Sequence, residues 1–157
     1  DESVIAESDP QTSISLFAND KYVRLFGIWQ FDNETEDIED DIESYFGSSD
    51  TKCQNLTTDQ ESSFVRAWNN AADSGKEYEV CVVNCHANPT SMYNGLTTAD
   101  IKKLKTVDCK CLILLGCNAG HYDYIWNNVA YEFSKKVTGV VVARMVQYTQ
   151  VLQIGLA

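Results

Sequence analysis

Residues 109–120 read Cys-Lys-Cys-Leu-Ile-Leu-Leu-Gly-Cys-Asn-Ala-Gly, a short apolar run that ends in small residues around Cys117. A run this short, closed by glycine, is a buried strand rather than a helix. Upstream, Tyr78 to Cys85 (Tyr-Glu-Val-Cys-Val-Val-Asn-Cys) is a second apolar strand, and it runs out into His86-Ala87-Asn88-Pro89. Between the two, Thr98 is placed to cap a helix through Leu104. The 31-residue gap from His86 to Cys117 suits one strand–helix–strand crossover, which lays its strands parallel and side by side.

Working outward, the same alternation recurs. Tyr22 to Trp29 reads as a strand, preceded by a weaker one at Ser13 to Phe17 and an Ala18-Asn19-Asp20 turn. Asp32 to Glu43 carries eight carboxylates in twelve residues and leads into a helix that ends near Phe46, with Gly47 as its cap. A short strand spans Cys53 to Leu56. Thr58 with Glu61 makes a capping box for the next helix, whose apolar face is Phe64, Val65, Trp68, Ala71 and Ala72, with Gly75 as the stop. Downstream, Ile125, Val129, Phe133 and Val137 are spaced by four along a further helix, and Gly139 to Ala143 is the last clear strand. Strand–helix repetition of this kind predicts an α/β fold, a three-layer α/β/α sandwich with a mostly parallel sheet. Residues 1–12 are a polar, acidic lead-in, and 13–157 form a single domain.

Composition removes several functions. The chain has 157 residues with 12 Lys+Arg against 23 Asp+Glu, a net charge of −11 and a pI near 4.4. Nucleic-acid binding and polybasic attachment to membranes both need the opposite charge. Hydrophobic residues make up 44% of the chain, enough for an ordinary core. The longest apolar runs, such as Cys111–Leu115 and Val140–Ala143, are too short to insert in a bilayer. Neither GxGxxG nor GxxxxGK[ST] occurs, which argues against a nucleotide-binding domain.

The six cysteines include no CxxC pair, and five sit in or beside apolar stretches. They read as buried free thiols, with a disulfide between two of them as the alternative. A chain that starts Asp1-Glu2-Ser3-Val4 without Met is expected to be a mature or trimmed form, and a secreted or cell-surface location is the expectation. Asn33 and Asn55 fit the glycosylation pattern, which is common by chance. No metal ligand set is apparent. Calcium is the one ion that the acidic stretch suits, but without spaced ligands around a central glycine no tight site is expected.

The chemistry sits at two strand ends. In such sheets ligands bind at the carboxyl ends of the strands, and here neighbouring ends carry His86 and Cys117. A thiolate attacks carbonyl carbon, and an adjacent imidazole takes and returns its proton. Gly116 leaves room for a sharp exit, and the Asn118-Ala119-Gly120 loop offers N–H groups to an oxyanion. Cys109, Cys111, Ile113, Leu115 and Cys117 share strand parity, so Cys109 and Cys111 belong to the core if that face is buried, while Cys117 lies past the strand end. His121 reads as a loop residue within reach of a substrate.

These motifs resemble the caspase–hemoglobinase fold of clan CD cysteine peptidases, the group of caspases, legumain, clostripain, gingipains and the self-cleaving domains of RTX toxins. Asn128-Val-Ala-Tyr-Glu-Phe-Ser-Lys-Lys-Val-Thr-Gly-Val-Val-Val-Ala143 is similar to the helix and strand that follow the nucleophile in bacterial members. The likeness runs from about Tyr22 to Arg144. It implies that His86 is the catalytic histidine and Cys117 the nucleophile, with Gly116 the small residue before it. The oxyanion would be held by backbone N–H groups of Ala87 and Cys117. The family usually has glycine after its histidine, so a left-handed backbone at Ala87 would be strained and the hole altered. Some members need calcium.

In this fold the strand after the nucleophile helps wall the specificity pocket. Arg144, at the end of that strand, makes an acidic residue before the scissile bond the natural expectation. Asn118 and His121 are further substrate-binding candidates, and Met145 and Tyr148 would suit an apolar pocket instead. The expected activity is that of a cysteine endopeptidase on a peptide or protein substrate. The alternative is a catalytically silent domain of the same fold, favoured by Ala87 and by the thirteen residues after Arg144, where the family commonly builds its pocket.

Overall fold

The computed structural model describes residues 20–93, 95–121, 123 and 126–145, and the backbone of 151–154. The lead-in, the strand expected at Ser13–Phe17, Ile125 and Tyr148 lie outside the described residues. In chain order the main strands are β1 (Lys21–Gly27), β2 (Thr51–Thr57), β3 (Tyr78–Asn84), β7 (Cys109–Leu114), β8 (Val140–Arg144) and β9 (Val151–Ile154). Three two-residue strands fall between them: β4 (Ala87–Asn88), β5 (Ser91–Met92) and β6 (Leu96–Thr97). The helices are α1 (Asp32–Phe46), α2 (Glu61–Asp73), α3 (Thr98–Ile101) and α4 (Val129–Ser134), with a 3-10 turn over Trp29–Phe31.

The main sheet runs β2-β1-β3-β7-β8-β9. Its first five strands are mutually parallel, and β9 pairs antiparallel with β8. The expected α/β class and mostly parallel sheet are therefore present. Two hydrophobic clusters draw on alternate residues of β1: Val23 and Leu25 belong to one, Phe26 to the other. The strand pleat turns such residues to opposite faces. On one face α1 contributes Ile38 and Ile42; on the other, α2, α3 and α4 contribute Phe64, Trp68, Ile101, Val129 and Phe133.

The second cluster is the stronger. Phe26, Phe64, Trp68 and Phe133 are fully buried, with ring centroids 5.1 Å apart for Phe26–Phe64 and 5.0 Å for Trp68–Phe133. Aromatic pairs of this geometry add about 0.5–1.5 kcal/mol each beyond their buried area. The Trp68 indole N–H donates to the Lys105 carbonyl at 2.9 Å, so the ring's one polar group is satisfied.

Several local expectations shift. The N-cap of α2 is Gln60 rather than Thr58, and no side chain caps it; the Thr58 hydroxyl instead accepts from the Gln60 N–H at 3.1 Å. The capping box of α3 falls one residue earlier than Thr98, pairing Thr97 with Asp100. The Thr97 hydroxyl and Lys103 hold the Asp100 carboxyl down at about 2. The α3 helix ends at Ile101, short of Leu104, and α4 ends at Ser134. Val137 leaves the helix to bridge with Val107. The spacing by four survives at Val129 and Phe133, but Asn128 caps the helix there through the Tyr131 N–H.

Parity also breaks. Cys109 is fully buried in the larger cluster, whereas Cys111 is half-buried and Ile113 and Leu115 lie half-buried on the α1 face. The register between β1 and β3 slips between Tyr22 and Val23, so residues before and after the slip face opposite ways.

Gly139 is the tightest of the described glycines. A Cβ there would stand 2.0 Å from the Lys110 carbonyl oxygen, and the Gly139 N–H donates to Cys109 at 2.8 Å. Gly139→Ala is expected to cost about 1–3 kcal/mol, because backbone rather than a flexible side chain must yield. Urea unfolding is expected to show a lower midpoint with an unchanged slope; an unchanged midpoint would contradict the contact.

Candidate active site

The pocket forms where four parallel strands end side by side. Its walls are Phe31, Glu34, Asp37 and Ile38 after β1, Asn84, Cys85 and His86 at the end of β3, Leu115 and Cys117 after β7, and Arg144 at the end of β8. It encloses about 330 Å³. The sheet order makes this meeting possible, since β1, β3, β7 and β8 are consecutive neighbours.

Two small residues let the exits of β3 and β7 close on each other. A Cβ on Gly116 would lie 2.5 Å from the Ala87 methyl and 3.1 Å from the Cys85 carbonyl oxygen, so only glycine fits there. Ala87 occupies extended strand β4 and is not left-handed, so the strain expected from replacing the family's glycine does not arise. The Tyr93 N–H donates to the His86 carbonyl at 3.2 Å, which makes Ala87 and Met92 a non-hydrogen-bonded pair. The Ala87 N–H thus points away from β5, toward the side where Gly116 packs.

Beyond Gly116 the loop differs in part from expectation. The Ala119 N–H donates to Gly116 at 3.4 Å and the Gly120 N–H to Arg144 at 2.8 Å, so neither is available to a substrate. Among the described residues the Cys117 and Asn118 N–H groups have no such acceptor. Asn118 has φ 58°, a left-handed conformation that asparagine tolerates, and this reverses the chain directly after Cys117.

His86 is held from the β1 side. Its Nε2–H donates to Gln30 Oε1 at 2.7 Å, and the Phe31 ring meets it edge-on at 4.9 Å. The turn that carries them is held on either side: the Ile28 N–H donates to the Asn84 carbonyl at 3.2 Å and the Thr35 hydroxyl donates to the Phe31 carbonyl at 2.8 Å. Asn84 Nδ2 donates to that same hydroxyl at 3.3 Å. Gly27 permits this packing, since a Cβ there would come within 2.7 Å of Thr35 Oγ1. No hydrogen bond joins His86 to Cys117 among the described residues.

Of the residues expected at the site, His86, Cys117 and Arg144 share the pocket, and Ala87 borders it through Gly116. Asn118 and His121 do not line it. His121 turns to its own loop, where Nδ1 accepts from the Asp123 N–H at 3.3 Å. Sequence reasoning missed Gln30, Phe31, Glu34 and Asp37. The acidic run was visible, but not that its first turn faces the strand ends. Among the described residues no three His, Cys, Asp or Glu side chains are grouped closely enough to hold a metal ion, and no helix is long and apolar enough to cross a membrane. Compared with protein-family models and with curated proteins, the chain gives no match.

All six cysteines are free thiols, and their environments differ. Burial pushes Cys85 up to about 12, and burial with Glu39 nearby does the same to Cys53. Burial raises Cys111, and a hydrogen bond with Cys109 together with burial raises Cys81. Cys109 is wholly inaccessible and its thiol donates to the Cys111 carbonyl at 3.2 Å. A thiol with a pKa near 12 is thiolate only about 10⁻⁵ of the time at neutral pH. Cys117, half-buried in an open pocket, is therefore expected to react first with iodoacetamide, and His86→Ala to slow that reaction. Peptide mapping after brief labelling checks both; early labelling at another cysteine, or equal rates in both proteins, would contradict the assignment.

Proposed function

We propose that the protein is a cysteine endopeptidase with Cys117 as nucleophile and His86 as its base, of the caspase-like type that the sequence resembles. The observation that carries the reading is the shared strand-end pocket, in which His86 is clamped through Nε2 by Gln30 while Cys117 lies on the neighbouring strand exit. Because the Gln30 carbonyl oxygen can only accept, Nε2 carries the hydrogen and Nδ1 is left with the lone pair. Nδ1 takes the Cys117 proton as Sγ attacks the substrate carbonyl carbon. The oxygen then bears the negative charge, stabilised by the N–H groups of Ala87 and Cys117. Collapse expels the amine, which recovers the proton from His86, and leaves a thioester on Cys117. Water, deprotonated by His86, hydrolyses the thioester and frees the acid and the thiol.

The oxyanion role given to Ala87 is supported by its extended backbone and by an N–H directed away from its hairpin partner. Gln30 is a positioning residue: it touches neither substrate nor sulfur and acts through the imidazole.

The experiment is covalent capture by a peptidyl acyloxymethyl ketone mixture with variable residues, followed by mass mapping. The expected adduct is on Cys117, lost in His86→Ala. Gln30→Ala is expected to slow capture about tenfold or more, in line with losing an orienting partner, and to move its pH profile, while Gln30→Glu restores much of the rate. Absence of any adduct on a folded protein would favour the silent interaction domain.

A further inference from the structure

The Cys117 pocket has an apolar neighbour. A groove of about 410 Å³ runs beside it, and Ile38 and Leu115 line both. Its other walls include Ile42 and Tyr45 of α1 and Val82 and Ile113 of the sheet, with Asp41 at its edge. It arises because α1 lies over β1 and β2, leaving the β3–β7 part of that face open among the described residues. Tyr45 is 83% exposed, and an apolar surface of this kind marks a binding groove when it adjoins a site.

We propose, building on the peptidase reading of Cys117, that this groove holds the substrate chain on one side of the scissile bond, and that the preferred substrate is an extended segment with alternating apolar residues and basic residues close to the cut. Three observations commit the groove to this occupant. The two depressions adjoin, with Ile38 and Leu115 as walls of both, so a chain bound at Cys117 has the groove directly beside it.

Length fits as well. From Glu34 to Tyr45 the helix advances about 16 Å at 1.5 Å per residue, which an extended peptide covers in about five residues. Alternate side chains of such a segment face the same way, so two or three of them enter the groove together. Charge gives the third reason. Glu34, Asp37 and Asp41 line the combined surface against Arg144 alone, and α1 carries no basic residue. The expectation of an acidic residue before the cut rested on Arg144 by itself; with Glu34 and Asp37 in its pocket and Asp41 in the adjoining groove, the balance favours a cationic segment.

The test is digestion of a peptide library derived from a whole proteome, with cut sites read by mass spectrometry. In the unmodified protein Leu, Ile, Val, Phe or Met are expected about tenfold enriched at alternating positions within about five residues on one side of the cut. Lys and Arg are expected near the cut, weakening as salt is raised. Ile113→Lys is expected to abolish the apolar enrichment. Tyr45→Ser, a change at an exposed position that does not threaten folding, is expected to reduce it at the position farthest from the cut. Cleavage without apolar enrichment, or enrichment that survives both substitutions, would overturn the groove assignment alone. No cleavage at all, with Cys117 alkylated no faster than in His86→Ala, would overturn the peptidase reading and the groove with it.

Discussion

The parallel register between β3 and β7 is the constraint from which the site follows. Val83 pairs with Leu114, and the Leu115 N–H closes the ladder onto the Val83 carbonyl at 2.9 Å, so the two strands stop level with one another. Each chain then has to turn away from the sheet within about two residues. The turns fit only because position 116 is glycine, whose missing side chain leaves its space to the Ala87 methyl. A one-residue slip in this pairing would move every side chain beyond it to the other face and separate His86 from Cys117.

The two faces of the sheet divide the labour. Aromatic rings from β1, α2 and α4 interlock on one face and supply the rigidity, and Phe31, Cys85 and Ala87 join the pocket to this core. The α1 face is thinner, with a cluster of three fully buried residues and a margin of half-buried ones. That thinness leaves room for a pocket and a groove. It also places the acidic first turn of α1 against the strand ends, where the helix dipole favours carboxylates. Residues that steady His86 come from this same junction, so the placement of His86 depends on how the chain passes from β1 into α1 through Gly27, Gln30 and Thr35.

The sequence made the fold class legible because the long elements carry strong periodic signals. Tyr78–Cys85, Cys109–Gly116 and the Phe64–Trp68–Ala71 face all appear where expected, within a residue or two. What escaped were features set by tertiary contact. The strands β4 to β6 have two residues each, too short to show any alternation, and exist because the chain between His86 and Thr98 folds back on itself. Strand β9 is only recognisable by its pairing to β8. Both capping shifts arise where several adjacent Thr, Asp and Gln residues compete for one role, and spacing alone does not choose among them. Of the site, His86, Cys117 and Arg144 were readable from their places at strand ends. Gln30 was not, because a glutamine in a short turn has no signature until its partner's position is known.

The central claim is that Cys117 forms an acyl bond with a peptide substrate under the control of His86. The most direct measurement is acid-quenched mass spectrometry of the intact protein, milliseconds to seconds after mixing with a pool of activated peptide esters. The account predicts a transient acyl adduct on Cys117 that decays by hydrolysis and fails to accumulate in His86→Ala. An adduct on any other cysteine, or one that forms equally fast without His86, would contradict it.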